Sequence, residues 1–258
     1  MNMTNKSGGR EKAMGVLSGK IALVTGSGRG IGRSIALRLA RDGARIVAHY
    51  GGSKTGAEAV VAEIVARGGE AIACQADIRK RDQVIAMFAA IDAAMGALDI
   101  VVNNAGAMTV ATLADVTDEQ IEAIFGINAF GPLYVASEAA KRMEDGGRII
   151  NLGSSNAKFP VGGAGLYGAA KAALENFTQS WAKELGARNI TVNMVTPGAT
   201  SPGMMDASPQ YRGFMEQASP FKRIGHADEI AEVVAFLASP AASWVSGADI
   251  LANGAASA

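Results

Sequence analysis

Short continuous apolar runs, many of them β-branched, alternate along this chain with Ala-rich stretches of helical length. That alternation marks βαβ units and a parallel sheet. It predicts strands over Ile21–Val24, Arg45–Ala48, Glu70–Cys74, Leu98–Val102, Arg148–Leu152, Thr191–Val195 and Ala248–Leu251. Between them it predicts helices over 31–42, 55–67, 81–95, 118–143, 165–187 and 227–237. Gly68-Gly69, Gly146-Gly147 and Gly186 stand where those helices are expected to stop. A strand that is apolar at every position, such as Ile21-Ala22-Leu23-Val24, has no polar face to give to water. The expected architecture is therefore one α/β domain over residues 18–258, with a doubly wound parallel sheet of seven strands and helices on both faces. Ligands of such sheets bind beyond the carboxyl ends of the strands.

Composition narrows the partners. Of 258 residues 49% are hydrophobic and 19% charged, enough for a large core, and 24 basic residues balance 24 acidic ones. A zero net charge argues against nucleic acid or an anionic membrane surface as the main partner. Cys74 stands alone and His49 and His226 are the only histidines, so neither an internal disulfide nor a metal-ligand cluster is expected, and a reducing, cytoplasmic location fits. Residues 1–17 read as a flexible tail without the apolar core of a secretory signal, and no apolar stretch is long enough to span a membrane. The Asn-x-Thr sequons at Asn2, Asn176 and Asn189 are accordingly chance matches.

Two segments carry candidate chemistry. Thr25-Gly26-Ser27-Gly28-Arg29-Gly30-Ile31-Gly32 follows the first strand and opens the first helix, where backbone amides and the helix dipole can cradle a pyrophosphate. Asn103-Asn104-Ala105-Gly106 ends the fourth strand, from which amide side chains can brace that loop. Farther on, Tyr167 and Lys171 lie four residues apart, on one face of a helix, so an ammonium can approach a phenol and favour its ionised form. A free phenol titrates near ~10, too high for acid–base work at neutral pH without such help. Ser154, thirteen residues before the tyrosine, can offer a hydroxyl to the same reacting oxygen.

In that order and at those intervals, T-G-x-x-x-G-x-G, N-N-A-G, Ser154, Y-x-x-x-K and Pro197-Gly198 resemble the short-chain dehydrogenase/reductase family over residues 18 to 254. The resemblance implies a Rossmann-type sheet of order 3-2-1-4-5-6-7, a nicotinamide dinucleotide, and a homotetramer built on the long helices at 118–143 and 165–187. It implies that Tyr167 exchanges a proton with a carbonyl or alcohol oxygen as hydride passes to or from the nicotinamide. Ser154 is then expected to hydrogen-bond that oxygen, and Lys171 to lower the pKa of the tyrosine and hold the nicotinamide ribose. Asn128, in Gly126-Ile127-Asn128-Ala129-Phe130-Gly131, matches an asparagine that holds a relay water, although a polar residue within so long a helix also marks a local bend.

The expected cofactor contacts are Gly26, Ser27, Gly28, Arg29, Gly30 and Ile31 in the glycine loop, Tyr50, Ser53 and Lys54 around the end of the second strand, and Asn104, Ala105 and Gly106. By resemblance Asp77 and Ile78 meet the adenine, and Pro197, Gly198 and Thr200 hold the carboxamide. No acid lies between Gly43 and Ala57 to bind ribose hydroxyls and repel a 2′-phosphate, whereas Arg29, Ser53 and Lys54 can receive one. NADP(H) is therefore expected, with NAD(H) as the other case.

Residues 201–221 read as a lid, in which Met204, Met205, Tyr211, Phe214, Met215 and Phe221 are available to line an apolar pocket or to pack. The resemblance, which extends to 3-oxoacyl-carrier-protein reductases, carbonyl reductases and sugar or polyol dehydrogenases, implies a small carbonyl or alcohol substrate, whether a 3-oxoacyl thioester, another ketone, or a sugar or polyol. Glu144-Asp145 stands where acyl-carrier-protein reductases often carry basic residues, a departure that weakens the carrier-protein reading. A serine hydrolase fits poorly, because Ser154 lacks the G-x-S-x-G elbow. A dinucleotide sensor without catalysis remains the non-enzymatic alternative.

Overall fold

Strand β1 (Ile21–Val24) shows why the sheet is covered on both sides: all four residues are buried, with Ala22 and Val24 on one face and Ile21 and Leu23 on the other. The structure, a computed structural model, describes residues 15–207 and 209–256, and the side chains of Met205, Ala207 and Pro209 are outside that description. Most of the expected tail, residues 1–14, also lies outside the described residues.

The chain continues through α1 (Gly30–Arg41), β2 (Arg45–Tyr50), α2 (Lys54–Ala66), β3 (Ala71–Gln75), α3 (Arg81–Ala94) and β4 (Ile100–Asn103). The second half holds α4 (Asp118–Phe125), α5 (Gly131–Arg142), β5 (Arg148–Leu152), α6 (Gly165–Leu185) and β6 (Thr191–Pro197). It ends with β7 (Thr200–Ser201), α7 (Arg212–Ala218), β8 (Gly225–His226), α8 (Ala227–Ala238) and β9 (Asp249–Ala252). Seven strands form one parallel sheet in the order β3-β2-β1-β4-β5-β6-β9, the Rossmann arrangement, while β7 and β8 make a separate two-stranded ribbon at the lid.

One core layer packs α1, α2 and α8 against Ala22, Val24, Ile46 and Val102; the other packs α3, α5 and the far part of α6 against Leu23, Val47, Val101 and Ile149. Helices α1 and α8 lie together across a layer that includes Ile35, Leu39, Ile230 and Val234. At its edge Arg38 and Arg41 both donate to Glu232, each at 2.8 Å. Thr117 with Gln120 and His226 with Glu229 form capping boxes that set the starts of α4 and α8. Arg223 and the His226 amide hold Glu229 down at about 2.

The long helix expected over 118–143 is not continuous. A π-helical turn, Gly126–Phe130, separates α4 from α5, and Asn128 sits inside it. Its Nδ2 donates to the Ile124 carbonyl at 2.9 Å and to the Ala107 carbonyl at 2.8 Å, so the side chain serves acceptors that a regular helix would satisfy or leave outside. No helix among the described residues is long and apolar enough to cross a membrane.

Candidate active site

The glycine loop leaves β1 at Thr25, whose hydroxyl accepts the amides of Asn104 at 2.9 Å and Ala105 at 3.0 Å. In return Asn104 Nδ2 donates to the carbonyls of Thr25 and Gly26, at 2.8 and 3.2 Å. The pairing of β1 with β4 thus places N-N-A-G where it braces the loop, as the sequence suggests. Gly26 and Gly30 take positive φ values of 65° and 55°. Gly32 has no room for a side chain, since a Cβ would stand 2.4 Å from both Asn104 Nδ2 and the Gly26 carbonyl oxygen.

The start of α1 is open to an anion: Arg29 caps it without a side-chain bond, and its first turn holds no acid. Free amides, helix dipole and exposed guanidinium together fit a pyrophosphate. Ser27, however, points inward. It is fully buried, and its amide and hydroxyl both go to the carbonyl oxygen of His49, at 3.1 and 3.4 Å.

Around β2 and β3, Ser53 and Lys54 are exposed, Lys54 having an exposed ion pair with Glu58 at 3.5 Å, and Tyr50 is half-buried against the core. Asp77 is not a free carboxylate. Arg79 holds it with Nε at 2.8 Å and Nη2 at 2.7 Å, which keeps its pKa below the usual carboxylate range. Ile31 packs at the edge of one core layer and Ile78 is buried in the other. Beyond β6, Thr200 donates to the Gly198 carbonyl at 3.0 Å, and the amide of Gly198, next to Pro197, donates to Ala252 at 3.3 Å. The lid backbone at Pro202 and Gly203 comes within 3.2 Å of where a Cβ on Gly30 would be.

Ser154, Tyr167 and Lys171 do come together. Ser154 follows β5, accepts the amide of Asn156 at 3.3 Å and lies close enough to the Tyr167 phenol to draw its pKa down. Tyr167 and Lys171 are buried on α6, with Lys171 Nζ 5.9 Å from the centre of the tyrosine ring. The expectation that the lysine lowers the phenol's pKa needs correction for this arrangement: burial pushes Tyr167 up and Ser154 only partly opposes it. Lys171 donates instead to the Leu152 carbonyl at 2.7 Å, and burial pulls its ammonium down to about 8. A chain of buried amides fixes α6 beneath the site, from Asn103 Nδ2 to Asn151 Oδ1 and from Asn151 Nδ2 to Thr178, each at 2.9 Å. Asn128 Oδ1 is buried without a protein partner, 2.8 Å from where a Cβ on Gly106 would stand, and that same point is 3.7 Å from Lys171 Nζ.

Sequence reasoning passed over three contributors: His49, Arg79 and the Asn151–Thr178 pair. None sits in a recognisable motif; only the oddity of a histidine or an amide inside an apolar strand marks the first and last. The lid pocket is partly as expected. A cavity of about 410 Å³ is lined by Phe214, Met215 and Phe221 together with Phe159 and Val161, and it reaches Ser155, Asn156 and Gly198. Met204 and Tyr211 are not among its walls but exposed, and the side chain of Met205 lies outside the described residues. Among the described residues no cluster of His, Cys, Asp or Glu is suited to a metal ion.

The fold and the glycine loop define a Rossmann-type α/β protein, with a serine, a tyrosine and a lysine gathered beyond the carboxyl ends of its strands. A family model described as enoyl-(acyl carrier protein) reductase matches residues 26–256. The short-chain dehydrogenase/reductase AacuN of Aspergillus aculeatus is 41% identical over 254 residues, 93% of this chain and 96% of its own. Among solved structures, a short-chain dehydrogenase from Burkholderia cenocepacia in complex with NADP has a TM-score of 0.91 and 41% identity, covering 94% of this chain and 99% of that one. The landomycin C-6 ketoreductase LanV with bound NADP and rabelomycin has a TM-score of 0.86 and 37% identity, over 93% and 97% of the two chains. The chain belongs to the short-chain dehydrogenase/reductase family of oxidoreductases.

Proposed function

We propose that the protein is an NADP(H)-dependent oxidoreductase that interconverts a ketone and a secondary alcohol. The observation that carries this reading is the convergence of three groups beyond β5: the buried phenol of Tyr167, the Ser154 side chain that draws its pKa down, and the Lys171 ammonium 5.9 Å from its ring. Bound at this site, the reduced nicotinamide supplies the hydride. Tyr167 gives its proton to the carbonyl oxygen, while Ser154 hydrogen-bonds that same oxygen and orients the substrate. Lys171 holds positive charge near the phenol as its proton leaves and reaches the nicotinamide ribose. The unpartnered Oδ1 of Asn128 is the acceptor for a water that returns a proton toward Lys171.

The open start of α1 with Gly26, Gly28, Arg29, Gly30 and Ile31 holds the pyrophosphate, and Asn104, Ala105 and Gly106 line the same end. Arg29, Ser53 and Lys54 receive the 2′-phosphate, with Tyr50 beside them. The lack of an acid from Gly43 to Ala57 supports this choice, as do the NADP complexes of the two similar structures. The Asp77 carboxylate and the Ile78 backbone amide meet the adenine, and Pro197, Gly198 and Thr200 hold the carboxamide. The Phe159, Phe214, Met215 and Phe221 walls favour an apolar ketone over a sugar or polyol. Exposed apolar side chains at Leu113, Ile121 and Phe130, around α4 and α5, support assembly as a homotetramer.

The test is an NADPH titration followed by a panel of apolar ketones, sugars and polyols, read by loss of cofactor absorbance. Binding with turnover of apolar ketones is the expected result. Binding without turnover of any of them favours the sensor, and preference for NADH or for polyols refutes the assignment.

A further inference from the structure

His49, the penultimate residue of β2, is 1% exposed and touches two distant segments at once. Its Nδ1 accepts the Gly26 amide at 3.2 Å, its Nε2 bonds the Ala76 carbonyl at 3.0 Å, and its own carbonyl takes the amide and hydroxyl of Ser27. The partners dictate the tautomer: an amide can only donate and a carbonyl can only accept, so the ring is neutral with its proton on Nε2. Gly26 is thereby held from two sides, by the imidazole at its amide and by Asn104 at its carbonyl. Ala76 directly precedes Asp77. One side chain therefore joins the loop that opens α1 to the end of β3. An aliphatic residue would fill the strand equally well but leave a buried amide and a buried carbonyl without partners.

We propose that His49 is a positioning residue for the dinucleotide, a clamp that fixes the glycine loop at a set distance from the adenine contacts at Asp77 and Ile78. This rests on the reading that this end of the sheet holds NADP(H). The clamp touches neither Tyr167 nor the lid, so it acts on cofactor affinity and not on the proton step.

The test uses the full chain with His49→Leu, which removes both ring bonds, and His49→Asn, whose Oδ1 falls near the place of Nδ1 and keeps the acceptor for Gly26. NADPH affinity is measured by fluorescence titration, and KM for NADPH and kcat in the steady state. His49→Leu is expected to weaken NADPH binding about tenfold, the equivalent of one lost buried hydrogen bond, with kcat at saturating cofactor unchanged. His49→Asn is expected to recover most of that loss. Equal affinity in all three proteins overturns the clamp, as does a fall in kcat without a change in KM, or an asparagine variant no better than leucine. Should either variant fail to fold, the ¹⁵N shifts of the wild-type imidazole decide: a neutral ring with hydrogen on Nε2 at neutral pH supports the proposal, and a charged ring or the other tautomer overturns it. Wild-type protein that binds no NADPH overturns the cofactor reading and this inference together, whereas normal wild-type binding with indifferent variants overturns the inference alone.

Discussion

Lys171 donates to the carbonyl oxygen of Leu152 at 2.7 Å, and so ties helix α6 to the last residue of β5, just before Ser154. The bond sets the helix that carries Tyr167 against the strand that presents Ser154. It also keeps an ammonium where burial lowers its pKa to about 8. On the proposed mechanism the charge of Lys171 supports the departing proton, so kcat/KM for ketone reduction should fall as pH rises through about 8. Initial rates across that range at saturating NADPH check this, and a flat profile removes the lysine's charge from the mechanism.

Tyr167→Phe keeps the ring and loses the proton donor. Turnover of any ketone should drop by roughly 10² to 10⁴, the usual worth of a positioned acid, while NADPH affinity stays as in the wild type. Fluorescence titration beside steady-state rates separates the two effects. A variant that retains most of its turnover would show that the phenol is not the acid.

The lid-side cavity predicts a change in substrate affinity without a change in chemistry. Phe214→Ala combined with Phe221→Ala removes two of its aromatic walls. KM for a bicyclic ketone should rise about tenfold or more, with KM for a small ketone such as a C4 homologue barely affected. If both substrates respond alike, the cavity does not receive the ring system.

His49 predicts an acid-side loss of stability. Burial lowers its pKa from 6.5 to about 4, against the smaller opposing pulls of the Ala76 carbonyl and the Asp77 charge. Because the folded pKa lies below the unfolded one, the unfolded chain binds the extra proton first. The stabilisation is whole above pH 6.5 and drains away as pH falls toward 4, by at most on the order of 3 kcal/mol. Urea unfolding at several pH values, compared with His49→Asn, should show a steeper fall in the wild type over that window. Parallel curves would mean that the histidine does not titrate on unfolding as described.

Much of this was legible in the sequence because it depends on local patterns. The runs at Ile21–Val24 and Arg148–Leu152 are strands residue for residue, since a short run dominated by branched apolar residues after a lysine or a glycine pair has few other uses. The positions of Ser154, Tyr167 and Lys171 were equally plain, as helix spacing puts the last two on one face. What was hidden depends on contacts between distant segments. Along β2 side chains alternate, and the expectation settled on Tyr50, although its neighbour His49 reaches the glycine loop; alternation does not say which of two adjacent residues faces a ligand-binding turn. At Asn128 a polar residue marked a bend but not a break, because the helical period continues through it, and only the Ala107 carbonyl arriving from another loop explains why the turn widens. The direction of the tyrosine's pKa was missed for a similar reason. Spacing reports proximity to a cation but not the burial that both groups share.

The packing of α1 on α8 bears on how the molecule comes into being. Arg38 meets Glu232 across 194 positions of chain, and the apolar layer between the two helices has the same span. During synthesis the helix that opens the nucleotide end must emerge long before the surface that covers it. A polypeptide cut short ahead of residue 227 would keep every motif of the reaction centre and still leave Ile35 and Leu39 without their cover, ready to associate with other chains.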